Sequence, residues 1–237
     1  EVHSYDLYTG SLLTALVQQL RETGATVIIL SATLTRARTA ELLGVNLQSL
    51  QCSGYPLVTT AVGNQVQSMQ FVSECTKSIK LFMAEIDREK TAPLAYEHAL
   101  QGECVLWICN TVSAAQEAYN VLKSEACEDG PEIGMLHARY PYWRREELEK
   151  QWIDVLGKES MRRPKGCVLV ATQVVEQSVD IDADFLISEL APIDMLLQRA
   201  GRLWRHCRVN RPCKQAQRMI SVPVCVQDAC VHDDYLE

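Results

Sequence analysis

Arginines at every third position, Arg199, Arg202 and Arg205, are the residues of this 237-residue chain most plainly suited to chemistry. They lie in Gln198-Arg199-Ala200-Gly201-Arg202-Leu203-Trp204-Arg205. If the run is helical, Arg202 and Arg205 fall on neighbouring faces, and Gly201 lets the backbone come close to a ligand. Two guanidiniums converging on one point suit a transferring phosphoryl group, whose charge builds up on several oxygens. Upstream, Thr172-Gln173 follow the apolar run Cys167 to Ala171. That puts them at the mouth of a predicted buried strand, where an α/β sheet holds its ligand groups. Three spaced arginines alone read as a solvated helix face. Thr172-Gln173, Asp180 and Gln198 in step with them favour the chemical reading.

The elements that must position these residues alternate between short apolar runs and amphipathic stretches. Val27 to Leu30, Cys104 to Cys109, Ile133 to Leu136, Cys167 to Ala171, Phe185 to Leu190 and Met219 to Val226 read as strands. Leu12 to Leu20, Arg36 to Leu43, Lys77 to Leu100 with a break at Pro93, Asn110 to Lys123 and Pro141 to Leu156 read as helices. Ser31-Ala32-Thr33 could cap the second of these. Pro192 opens another at a favoured position. The rhythm predicts an α/β fold with a parallel sheet and flanking helices. Gly44 to Gly63 looks like a connection between two lobes, with the boundary near residue 63.

Apolar residues make up 47% of the chain, enough for a packed core. No run approaches the ~18–20 apolar residues of a membrane span, and no signal-peptide pattern opens the chain. A cytoplasmic protein with reduced cysteines is therefore expected, and no membrane partner. The ten cysteines contain no CxxC pair. Cys207, Cys213, Cys225 and Cys230 match no strong zinc template. The net charge of −7 argues against wholesale coating by nucleic acid. Its distribution says more: residues 176–198 carry six acidic side chains and no basic one, and residues 199–218 carry seven basic and no acidic. The basic stretch could serve phosphates, or it could be an outer face.

Thr172-Gln173-Val174-Val175-Glu176-Gln177-Ser178, Asp180-Ile181-Asp182, Ala191-Pro192-Ile193-Asp194 and the arginine run together resemble the last two motifs of superfamily 2 helicases. The wording is similar to one branch, the CRISPR-associated helicase–nuclease of type I systems. The resemblance implies the end of one RecA-like lobe over residues 1–45, a linker over 46–63 and a second RecA-like lobe over 64–237. It implies ATP and Mg²⁺ as cofactors, both needing an N-terminal half with a phosphate loop, because no G-x-x-x-x-G-K-[ST] occurs here. Glu1 would activate the attacking water, and Arg202 and Arg205 would stabilise the transition state. His3, Ser31, Thr33, Asp180, Gln198 and Arg199 would border the nucleotide. Asn110, Thr111, Arg139, Thr172 and Gln173 would grip a single-stranded DNA backbone. Recruitment to a guide-RNA surveillance complex and partnership with a nuclease domain follow from the same resemblance. It also implies that the chain alone does not turn over ATP, and that its first ~45 residues pack poorly without a partner.

Two rivals stand beside this reading: a non-catalytic split subunit or fragment that only binds, and an RNA-directed motor of the same superfamily. No metal site is expected. Asp182 and Asp184 read as exposed alternation, and His232-Asp233 is too short for a nuclease centre. Trp143 and Trp152 are expected in the core more than at stacked bases.

Overall fold

Six strands come together in one parallel sheet with the order β3-β8-β7-β4-β6-β5. They belong to a computed structural model that describes residues 7–31, 34–50, 54, 56–63, 65–72, 78–160, 162–177 and 179–222. The chain divides into two compact units, Glu1–Lys77 and Ser78–Glu237, and the sheet lies in the second. Its strands are β3 (Ile79–Glu85), β4 (Cys104–Ile108), β5 (Glu132–Leu136), β6 (Cys167–Ala171), β7 (Phe185–Glu189) and β8 (Ala216–Val222). Every residue of β4 and β6 is buried, as a parallel strand covered on both faces must be.

The two faces of the sheet carry separate cores. On one, α3 (Arg88–Leu100) and α4 (Val112–Glu125) set Ala92, Ala95, Ala114 and Ala118 against Val105, Trp107, Val170 and Phe185. On the other, Trp152 and Leu156 of α5 (Tyr142–Leu156) join Val179, Ile181 and Leu203 over Leu106, Leu169 and Leu186. Trp152 is buried because β5 offers Gly134, where an added Cβ would lie 2.0 Å from the indole. Trp143, the second residue of α5, is 63% exposed and does not join the core, contrary to expectation. The short α6 (Val174–Gln177) and α7 (Ile193–Ala200) follow β6 and β7.

Three expectations about element bounds are corrected in this unit. Lys77 to Leu100 is not one helix, because Ile79 to Glu85 pairs in parallel with β8 before α3 begins at Arg88. Pro93 does not break α3: the amide it lacks would have served only the exposed first turn, while Ala92, Ala95 and Ala99 hold the buried face. The last strand starts at Ala216, in register with Ile79 of β3, rather than at Met219.

The first unit packs α1 (Leu7–Glu22) against α2 (Arg36–Leu43), with Val17, Ala40 and Leu42 buried. Arg38 donates to Gly10 O at 2.7 Å and to Thr14 Oγ1 at 3.0 Å. Thr35, rather than Ser31 or Thr33, caps α2, its hydroxyl accepting from Arg38 N. An antiparallel hairpin has β1 (Leu57–Val62) at the end of the stretch read as the linker and β2 (Gln65–Gln70) just past it. Val27 to Leu30 forms no strand, and Ile28 and Leu30 are 79% and 71% exposed. An apolar run becomes a strand only against a partner, and among the described residues none pairs with it.

Gly166 precedes β6 with φ +93°, and a Cβ there would come within 1.8 Å of the Ala99 carbonyl oxygen. Gly166→Ala should therefore cost about 2–4 kcal/mol, combining backbone strain with a clash in a packed wall. Urea unfolding followed by tryptophan fluorescence would show the loss, and an unchanged midpoint would refute the assignment.

Candidate functional site

The carboxyl ends of β4, β6 and β7 meet beneath α7, and one guanidinium ties them together. Arg199 is fully buried. Its Nε donates to Glu176 Oε1 at 2.8 Å, and Nη1 donates to Ser188 Oγ at 3.0 Å and Glu189 O at 3.1 Å. Nη2 donates to Asn110 Oδ1 at 3.0 Å. Asn110 is fixed further: its backbone N–H donates to Glu189 Oε2 at 2.7 Å and its amide to Leu190 O at 2.8 Å. Gln173 Nε2 donates to Asn110 O at 2.9 Å, and Arg88 Nη2 to Glu189 Oε1 at 3.0 Å. Each strand end thus contributes a polar group to one network, whose members define the rim of the sheet.

A second network holds the segment after α7. Asp182 and Asp184 are buried, not exposed as their alternation suggested, because three arginines surround them. Arg211 donates to Asp184 Oδ1 at 2.6 Å and to both oxygens of Asp182 at 2.9 Å. Arg208 Nε reaches Asp182 Oδ2 at 2.5 Å, and Arg163 Nη2 reaches Asp184 Oδ2 at 2.7 Å. Burial pushes the Asp182 carboxyl up, but hydrogen bonds from Arg208 and Arg211 more than offset it and hold it below the usual carboxylate range. Arg218 is also buried and donates to Leu196 O. Burial, with Arg199 as a like charge beside it, lowers its guanidinium to about 10.

The arginine run is not a helical face. Helix α7 ends at Ala200, and Trp204 takes a left-handed φ of 48°. Arg202 turns inward, its Nη1 donating to Val179 O at 2.7 Å and its Nη2 to Glu176 O. Arg205 turns outward. Its Nε pairs with Asp180 Oδ1 at 2.7 Å, and the two side chains are 39% and 40% exposed. His206 Nε2 contacts both Asp180 oxygens at 3.0 Å. An ion pair this exposed contributes about 0–1 kcal/mol.

The other expected residues fall in several places. Thr111 is exposed, and its hydroxyl caps α4 by accepting from Ala114 N at 3.1 Å. Thr172 is buried, with its N–H on Leu136 O at 3.1 Å. Arg139 is exposed just beyond β5, next to buried His137, whose ring stacks on Tyr140 at 4.1 Å. Gln198 is half-buried on α7, and Ser31 is half-buried in the first unit. Glu1, His3, Thr33, Cys225, Cys230, His232 and Asp233 lie outside the described residues. Arg199 and Asn110, expected at ligands, bond to the protein itself: the guanidinium is taken up by acceptors of the lobe, and the Asn110 amide accepts from Arg199 and donates to Leu190 O. Asp184, Glu189, Arg163, Arg208 and Arg211 were missed as site-forming residues, and so was the buried role of Asp182 and Glu176. The signal was present as adjacent segments of opposite charge. Among the described residues no group of three or more His, Cys, Asp or Glu could hold a metal ion.

Residues 101–208 match the family CRISPR-associated nuclease/helicase Cas3, C-terminal. The chain is similar to the CRISPR-associated endonuclease/helicase Cas3 of Escherichia coli (strain K12): 36% identical over 225 residues, covering 90% of this chain and 25% of that protein. It is similar to the crystal structure of T. fusca Cas3-AMPPNP, with 32% identity and a TM-score of 0.84, covering 94% of this chain and 29% of that one. A structure of a CRISPR RNA-guided surveillance complex, pre-nicking, matches at 29% identity and TM-score 0.81, covering 94% and 30%. The chain spans about a quarter of the length of the curated relatives it matches. The six-stranded parallel sheet with its flanking helices is the RecA-like fold that the sequence led us to expect.

Two measurements test the networks. Arg199→Met should destabilise by about 3–5 kcal/mol, because Glu176 is left as a buried unpaired charge. Adding Glu176→Leu should recover about half of that loss, and a purely additive double variant would refute the pairing. The folded value of Asp182 lies below its unfolded one, so its contribution is complete above the ordinary aspartate range and is lost as pH falls through it. Asp182→Asn should accordingly flatten the fall in urea-unfolding free energy between about pH 5 and 3. An unchanged slope would show that Asp182 is not held ionised.

Proposed function

We propose that this chain, which belongs to the Cas3 nuclease/helicase family as the C-terminal part of its helicase core, supplies the second RecA-like lobe of an ATP-driven motor on single-stranded DNA. The observation that carries the reading is the contrast within the arginine run. Arg199 and Arg202 are buried against protein acceptors, whereas Arg205 stands at the surface on a weak, exchangeable pair with Asp180. A guanidinium held so can move onto a phosphoryl oxygen as negative charge develops there.

Bound ATP would supply the phosphoryl group and the energy of its transfer, with Mg²⁺ as its counter-ion. Arg205 stabilises the charge on the transferred group, Arg202 fixes the loop through the carbonyls of residues 176 and 179, and Gln198 and Asp180 border the nucleotide. By the resemblance, Glu1 would act on the attacking water, and His3, Ser31 and Thr33 would serve the nucleotide. Exposed Thr111, Gln173 and Arg139, at the ends of β4, β6 and β5, contact the sugar–phosphate backbone of the strand, and Asn110 and Thr172 hold them in place. Such contacts read no bases, so binding is sequence-tolerant and weakens with salt. A likeness to a surveillance-complex structure supports recruitment to a guide-RNA complex, where the unwound strand is passed to a nuclease domain. No helix among the described residues is long and apolar enough to cross a membrane, and the relatives are bacterial and archaeal, which supports action in the cytoplasm.

In the full-length protein, Arg205→Ala should lower DNA-stimulated ATP turnover by about 10³-fold or more while leaving single-stranded DNA affinity nearly unchanged. Steady-state ATPase assays with a filter-binding control measure both. Turnover at the parental rate would sink the reading, and preference for a matched RNA strand in competition would redirect it to an RNA motor.

A further inference from the structure

The loop after α7 is curled around a single carboxylate. Asp182 is fully buried. Its Oδ1 accepts from the Arg205 backbone N–H at 2.8 Å and from Arg211 Nη2 at 2.9 Å. Its Oδ2 accepts from Arg208 Nε at 2.5 Å and from the same Arg211 nitrogen at 2.9 Å. Positions 205, 208 and 211 recur at intervals of three, yet no helix carries them. They converge because the chain between them bends round Asp182.

The carboxylate is itself anchored. Asp182 N–H donates to Leu156 O at 3.1 Å, at the end of α5, and Arg163 Nη1 donates to Asp182 O at 2.7 Å. Arg208 Nη2 reaches Gly157 O at 2.6 Å. Beside it, Trp204 is the one non-glycine residue with positive φ among those described. Its N–H donates to Ala183 O at 3.0 Å, its indole N–H to Asp184 O at 3.3 Å, and the Arg211 guanidinium lies 4.8 Å over its ring. A bulky residue in the left-handed region persists only where its surroundings over-determine it. The residue directly after it is Arg205.

We propose that Asp182 is a positioning residue for the motor: by fixing the Arg205 backbone it sets how far and in which direction the Arg205 guanidinium reaches. The inference rests on the assignment of Arg205 above. A group that stabilises developing charge must be placed to within about 0.5 Å, and a misplacement of about 1 Å can cost 10²-fold in rate. The Arg205 guanidinium, on a side chain 39% exposed, extends from a main chain whose N–H is bound to Asp182, so its reach starts from that fixed point. Asp182 is what holds that main chain.

The test is a double-mutant cycle in the full-length protein, with single-stranded DNA-stimulated ATP turnover as the readout. Asp182→Asn should lower kcat by about 10²-fold with the KM for ATP changed less than about threefold. Made on top of Arg205→Ala, it should lower kcat no further, because the group it positions is already gone. Arg211→Lys keeps the charge but cannot bridge Asp182 and Asp184, and should give the same pattern at about tenfold. It serves as the second variant if Asp182→Asn does not fold, as judged by thermal unfolding and strand binding. Losses that multiply in the double variants, or a raised KM with kcat intact, would overturn the inference and leave Asp182 a structural residue. If Arg205→Ala itself turns over ATP normally, the assignment of Arg205 fails and this inference falls with it.

Discussion

Arginine–carboxylate pairing in the interior is the constraint on which this lobe depends. Parallel strands end in a layer where backbone groups have run out of sheet partners and side chains turn polar. Here that layer is closed by Arg199, which takes acceptors from β4, α6 and β7 at once. The arrangement is costly to disturb in one place only: removing a single partner strands a charge in a low-dielectric interior, whereas the complete set is satisfied. The ends of the central strands are therefore coupled, and Asn110, Gln173 and Glu189 keep fixed relative positions without any contact to a ligand.

How far this was legible follows from what each signal needs. All-apolar β4 and β6, and the apolar start of β7, could be read directly, since burial on both faces leaves no other pattern. Residues 79–85 were hidden because their run mixes Lys80 and Glu85 with apolar positions, as an edge strand's does, and only pairing with β8 decides it. Val27 to Leu30 shows the converse: it has the composition of a strand, but the described residues offer it no partner. Spacing by three misled the reading of the arginines for a similar reason. It is helical only if the backbone is, and the left-handed turn at Trp204 is fixed by Ala183, Asp184 and Arg211, all distant or later in the chain. The opposed charges of residues 176–198 and 199–218 were visible, yet net charge does not say whether two segments face solvent or each other.

That opposition is resolved by burial, and burial also separates the roles within the run. Arg199 and Glu176 are 0% and 4% exposed, whereas Arg205 and Asp180 are 39% and 40% exposed, so the same chemistry gives one pair that locks and one that can exchange. In the interior, desolvation makes any alternative to the native partner unfavourable. At the surface, water competes and a phosphate can replace the carboxylate. The lobe thus holds both behaviours within a few residues: a frame locked in the interior, and a guanidinium at the surface. The curled segment from Trp204 to Arg211 joins them, because the backbone of Arg205 belongs to the locked network through Asp182 while its side chain belongs to the exchangeable pair.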